Sequence, residues 1–147
     1  MAVGARWNSA RLEKKLTDAL EAAGDLEQEY EKVATEVARE TSQRISASGR
    51  GGPHNAEFAN IQHRVFKSGA GRYNVLVGWL NPGGNAHERG SGGRLWYQYQ
   101  DAGFHLFGGP NWIEGVGATI DQRFRLLDGL IDVNVRKVRE LRGILNR

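Results

Sequence analysis

The sequence predicts an α+β domain, with long N-terminal and C-terminal amphipathic helices flanking a small antiparallel sheet with Gly-rich loops. Apolar residues recur every three or four positions near both ends, and they alternate every second position in part of the middle. The chain has 20 glycines in 147 residues, and most lie between Gly49 and Gly117. This length fits a single domain, residues 1–147.

The first predicted element is a helix from Asn8 to about Ile45. A Gly in a helix interior costs about 1 kcal/mol relative to Ala, so the sequence allows a break or a kink near Gly24-Asp25. The segment Ser46–Pro53, rich in Gly and Ser, ends the helix. The residues of its stripe are Leu12, Leu16, Ala19, Ala23, Leu26, Tyr30, Val33, Val37, Thr41 and Ile45.

The middle of the chain predicts two strands joined as a hairpin. Ile61–Lys67 and Tyr73–Leu80 alternate, and the link Ser68–Arg72 has the length and Gly content of a hairpin loop. Asn81–Gly84 is a turn signal that opens a Gly-rich loop to about Arg94. The following segments are less regular: Leu95–Gln100 suits a third strand or a short helix, and Phe104–Gly117 is apolar and irregular.

The last predicted element is a second amphipathic helix that runs to the C-terminus, with Thr119 as a candidate cap. A coiled coil is one interpretation of the two terminal helices, and helices packed on the sheet are the favoured one. The stripe comprises Ile120, Phe124, Leu127, Ile131, Val135, Val138, Leu141 or Arg142, and Leu145.

The charge distribution indicates that the two helices complement each other. Residues 1–48 carry seven basic and nine acidic side chains, whereas residues 119–147 carry seven and four. An acidic N-terminal helix and a basic C-terminal one can pair within a chain or between copies. The formal net charge of +3 is too small to imply a nucleic-acid partner by itself.

Catalytic, metal and cofactor sites are not expected. No two histidines make the i, i+4 pair with an intervening Glu, and there is no Cys. The Gly-rich segments lack the Lys-Ser/Thr of a phosphate-binding loop. Asp101 precedes Ala-Gly and is interpreted as a turn residue. The histidines of the chain are His54, His63, His87 and His105, and the carboxylates of its middle region are Glu57, Glu88, Asp101 and Glu114.

A membrane partner is not expected either. No apolar run approaches the ~20 residues needed to span a bilayer, and Met1–Trp7 lacks the apolar stretch of a signal peptide. Synthesis in the cytoplasm is the expectation.

Aromatic side chains are densest between Trp96 and Phe104. They exceed what one face of a small domain needs, so some are expected to meet a partner. The candidate subunit-interface residues are Trp96, Tyr97, Tyr99, Asp101, Phe104 and Trp112.

The order of these parts resembles the small neck proteins of long-tailed bacteriophages, the head–tail joining or tail-completion family. The family's aromatic, aromatic, acidic, Gly pattern maps onto Tyr97, Tyr99, Asp101 and Gly103. Its Pro-x-x-Thr-Gly-x-Leu stretch is missing at Ser48–Pro53, which leaves the position within the neck open. The matching pieces are Leu12–Ile45, Ile61–Leu80, Asn81–Arg94, Trp96–Gly103 and Ile120–Leu145.

The resemblance implies a structural virion protein made in the host cytoplasm. It would form a homo-oligomeric ring at the head–tail junction, contact neighbouring neck and tail proteins, and let DNA pass through its lumen, touching it non-specifically if at all. A tail terminator that caps the tail tube is the alternative within phage biology. A DNA-binding accessory module is more distant, and an enzyme is the last.

Overall fold

A computed structural model describes residues 9–69, 72–80, 96–105 and 109–147. The α+β class is confirmed: long helices lie at both ends of the described chain and a two-stranded antiparallel sheet lies between them. The helices are α1 (Ser9–Gly24), α2 (Leu26–Ser48), α3 (Asn55–Phe58), α4 (Trp96–Ala102) and α5 (Ala118–Leu145), with a 3-10 turn at Gly52–His54. The strands are β1 (Gln62–Gly69), β2 (Arg72–Gly78), β3 (Phe104–His105) and β4 (Trp112–Ile113).

The N-terminal stripe divides into two helices where the sequence allows a break. α1 ends at Gly24 and α2 begins at Leu26, with Asp25 between them. α2 ends where Gly49 adopts a left-handed conformation with φ of 64°, which agrees with the predicted stop in the Gly-Ser segment. The second half of the stripe is core, since Val37, Thr41 and Ile45 are buried.

The predicted hairpin is confirmed. β1 pairs with β2 in antiparallel register, with Val65 opposite Val75 and Lys67 opposite Tyr73. One face of the hairpin lies on α2, where the Tyr73 ring meets Tyr30 with centroids 5.5 Å apart. The Nε2 atom of His63 lies 2.7 Å from Glu31 Oε1 on the same side. The expectation of helices packed on the sheet therefore holds for α2.

α5 packs mainly along α2 and α1. The approach to α2 is close at Gly129, where an added Cβ would lie 2.7 Å from Val33 Cγ1. The residues that α5 buries are Ala118, Gln122, Val133 and Ile144.

Ion pairs join the acidic N-terminal helices to α5 within one chain. Arg136 Nη2 lies 3.2 Å from Glu29 Oε2, and Arg125 pairs with Glu40. At the other end of α5, Arg147 Nη1 lies 3.8 Å from Asp18 Oδ2. The sequence left open whether the acidic and basic helices pair within one chain or between copies. These ion pairs form within one chain.

Candidate assembly interface

Tyr97 lies in the core and not on the surface. Its side chain is 1% exposed, stacks on Phe58 and packs at a tilt against Trp79, with both centroid distances 5.7 Å. Its hydroxyl donates to Glu57 Oε2 at 3.1 Å. Burial, together with the hydrogen bond and negative charge of Glu57, raises the pKa of Tyr97 to about 12. The expected interface role for Tyr97 is corrected: its ring joins α4 to α3 and to the segment after β2.

Asp101 is also directed inward, at 2% exposure. Its carboxylate accepts the backbone N–H of Ala118 at 2.8 Å, the N–H of Thr119 at 3.2 Å and the Thr119 hydroxyl. A carboxylate in this position satisfies donors that the first turn of α5 leaves unpaired and favours the helix dipole. Asp101 therefore anchors a helix that begins 17 residues later. The expected local turn bond and an interface role are both corrected by this geometry.

The remaining aromatic residues predicted at a subunit interface differ in how far their side chains are exposed. Tyr99 and Phe104 are half-buried, and the side chain of Trp96 lies outside the part of the chain that the structure describes. Trp112 is 48% exposed. It lies on β4, which pairs with β3 so that Trp112 is opposite His105. The sequence predicted an irregular segment here, since strands of two residues are too short to show alternation.

Two histidines in the described ranges each contact one carboxylate. His63 pairs with Glu31, and His54 Nδ1 lies 3.7 Å from Glu57 Oε1. His87 and Glu88 lie outside the described residues. Among residues 9–69, 72–80, 96–105 and 109–147, no three His, Asp or Glu side chains are grouped so as to hold a metal ion.

An apolar row of exposed side chains lies on α5, and we call it the α5 outer stripe. Its seven side chains are each between 42% and 59% exposed, and Phe124 is the most exposed of them. From Ile120 to Val138 they follow the three- and four-residue spacing of a single helix face, and Leu145 lies on the same face seven residues later. The α5 outer stripe consists of Ile120, Phe124, Leu127, Ile131, Val135, Val138 and Leu145.

These residues are the apolar members of the stripe that the sequence predicts for the C-terminal helix, but they point away from the domain. α5 faces its own chain with a second row that includes Ala118, Gln122, Gly129, Val133 and Ile144. A signal was present in the sequence: α5 carries more apolar and small residues than one packed face requires. The expectation that the terminal helices pack on the sheet therefore does not hold for this face of α5.

A second apolar row lies on α1. Leu12, Leu16 and Leu20 are spaced by four residues and are 42%, 49% and 73% exposed. α1 itself is held against the end of α5, where Lys15 Nζ donates to the Leu145 carbonyl at 3.0 Å. The chain thus presents exposed apolar rows on both of its terminal helices.

A partly open cleft of about 180 Å³ lies where α2, α5 and β2 meet. Gln122 is 8% exposed, and its side-chain carbonyl Oε1 has no hydrogen-bond partner among the described residues. We call this the Gln122 cleft. It is lined by Val37, Thr41, Val77, Thr119, Gln122, Arg123 and Leu126.

In the described part of the chain, no helix combines the length and apolarity that a membrane span requires. Comparison of the chain with protein-family models, with curated proteins and with solved structures found no match.

Proposed function

We propose that the protein is a structural subunit of the phage neck, which forms a ring at the head–tail junction, joins the capsid connector to the tail and lets DNA pass. The α5 outer stripe is the observation that supports this proposal best. The order of elements resembles that of neck proteins, and this resemblance is the basis for proposing the head–tail junction. The exposed apolar surface is the basis for proposing that copies of the chain assemble.

The stripe argues for assembly because the residues from Ile120 to Val138 form one apolar row along the helix. Soluble monomers rarely expose contiguous apolar patches larger than a few hundred Å². Burial of such surface in a subunit contact contributes about 25 cal/mol per Å². The row on α1 is a second and different apolar surface, and two unlike surfaces suit a head-to-tail contact that closes into a ring.

DNA contact is a second role within the same proposal, supported by the β1–β2 hairpin. Gln62–Gly78 contains Arg64, Lys67 and Arg72 and no Asp or Glu. All three cations are exposed. A few phosphate contacts per copy become many when a ring repeats them around a DNA path. The isolated chain should leave the mobility of a DNA duplex unchanged in moderate salt, whereas tight binding by the monomer would favour a DNA-binding module.

The neck assignment is tested by imaging virions of a phage that encodes this chain. We expect density for a closed ring of copies between the capsid connector and the tail tube. A ring at the tail end of a head-free tail would identify the tail terminator instead. Absence of the chain from the virion, or isolated copies that do not touch, would refute the proposal.

A further inference from the structure

Two polar groups on different surfaces of the chain are complementary, because one is a hydrogen-bond acceptor and the other is a donor. Gln122 Oε1 is a buried acceptor without a partner at the Gln122 cleft. Trp112 is 48% exposed, and its indole N–H makes no hydrogen bond within the described residues. A buried carbonyl without a partner destabilises the chain that holds it, so a donor that reaches it gains a full hydrogen bond.

The cleft has the size and lining of a site for one aromatic ring. Its volume is about 180 Å³, and Val37, Val77 and Leu126 contribute apolar walls. An apolar cavity of about 150 Å³ is large enough to bind benzene. A ring that also carries an N–H or O–H donor would satisfy Gln122, which an all-carbon ring would leave unpaired.

Trp112 is the aromatic residue in the described chain that meets this requirement. It and Phe124 are the exposed residues among the described Trp, Tyr and Phe, and Phe124 has no donor. The exposed imidazole of His105 already lies edge to face against Trp112. The other described Trp with a placed side chain, Trp79, already donates its indole N–H to the Phe58 carbonyl at 2.8 Å.

The Trp112 ring is held in one orientation before any partner arrives. It meets His105 edge to face, with centroids 5.0 Å apart. It also lies over Gly103, where an added Cβ would fall 2.4 Å from Trp112 Cζ2. A ring fixed in this way loses little conformational entropy on insertion into a partner.

We infer that the Gln122 cleft receives the indole of Trp112 from a second copy of the chain, with the indole N–H donating to Gln122 Oε1. The contact joins two different surfaces, so each copy both gives a Trp112 and receives one. Repetition of such a contact closes into a ring when the rotation permits. This inference rests on the proposed ring and names one contact that holds it together.

The first test measures the cleft in the isolated chain, with indole and 1-methylindole as probes. Indole should shift the NMR signals of Thr119, Gln122 and Leu126, and 1-methylindole, which lacks the N–H, should bind roughly 2- to 10-fold more weakly, the effect of one hydrogen bond. In Gln122→Leu the preference for indole should disappear. Gln98→Leu, at an exposed position on α4, is the control and should keep the preference. Equal binding of the two probes, or no binding, would overturn the inference.

The second test asks whether Trp112 of a neighbour is the occupant. The chain has no Cys, so cysteines introduced by Asn111→Cys beside Trp112 and by Arg123→Cys at the cleft rim are the sole thiols. Virions assembled from a mixture of the two single variants should give a disulfide-linked pair on oxidation, and virions with either variant alone should give none. In virions that contain the ring, lack of the linked pair would overturn this contact and leave the proposed function standing. Virions without the ring would overturn both.

Discussion

At the scale of single residues, Asp101 shows how a polar side chain in the aromatic segment acts on a distant element. Its carboxylate holds the first turn of α5 through Ala118 and Thr119. We expect Asp101→Ala to lower the free energy of unfolding by about 2 kcal/mol, because it removes a helix cap and leaves buried donors unpaired. Urea denaturation followed by circular dichroism measures this.

Asp132→Ala is the matched control for Asp101, since Asp132 is an exposed carboxylate on α5. It should change stability by less than about 0.5 kcal/mol. Equal effects of the two substitutions would mean that the carboxylate of Asp101 does not anchor the helix.

The raised pKa of Tyr97 predicts that the protein loses stability in alkaline solution. Its pKa is raised from 10.0 to about 12, so above pH 10.0 the unfolded chain releases the phenolic proton while the folded chain keeps it. The unfolded state then binds fewer protons, and stability falls as the pH rises from 10.0 toward about 12. Tyr97→Phe should lose less stability than the natural protein between pH 9 and pH 11, measured by the urea midpoint. A parallel decline of both proteins would contradict the prediction.

At the scale of elements, the contact between α2 and α5 depends on a glycine inside a helix. An added Cβ at Gly129 would lie 2.7 Å from Val33 Cγ1, whereas one at Gly143 would meet nothing within 4 Å. Gly129→Ala should destabilise the protein by about 1–2 kcal/mol through overpacking. Gly143→Ala, on the same helix, should stabilise it by about 0.5–1 kcal/mol through helix propensity.

Thermal denaturation gives the melting temperatures of the two variants. They can be compared directly, because each variant adds one methyl group to α5. Opposite shifts of the melting temperature are expected. A rise in both would show that α5 does not approach α2 closely at Gly129.

At the scale of the whole molecule, the α5 outer stripe predicts that assembly can be removed without unfolding the chain. Phe124 is 59% exposed, so Phe124→Glu should leave the melting temperature of the monomer within a few degrees of the natural value. It should abolish incorporation into virions, since a charge in an apolar subunit contact is strongly unfavourable. Asp128→Ala, at an exposed polar position on the same helix, is the control and should be incorporated normally.

Incorporation is measured by quantifying the chain in purified particles. Wild-type levels of the Phe124→Glu protein in virions, with joined heads and tails, would show that the stripe is not a subunit contact.

The parts that the sequence predicted are those with strong local signals. The break at Gly24-Asp25, the end of α2 in the Gly-Ser segment and the β1–β2 hairpin depend on residue spacing and on glycine, both visible within a short window. The sequence allows a strand or a short helix at Leu95–Gln100, and the structure makes Trp96–Ala102 a helix. In this helix the Tyr97 ring packs against Phe58 and Trp79, which are distant from it in sequence.

The candidate site was the least predictable part, because local periodicity shows that a stripe exists but not what covers it. Local patterns in the sequence predict two amphipathic terminal helices, a hairpin and an aromatic segment that contains one acidic residue. Only the tertiary structure shows that Tyr97 and Asp101 face inward and that α5 packs through Gly129 and Val133. It thereby also decided that Phe124 and Leu127 remain exposed. The physical reason is that α5 has two faces able to pack, and the close approach to α2 at a glycine is a property of two helices together.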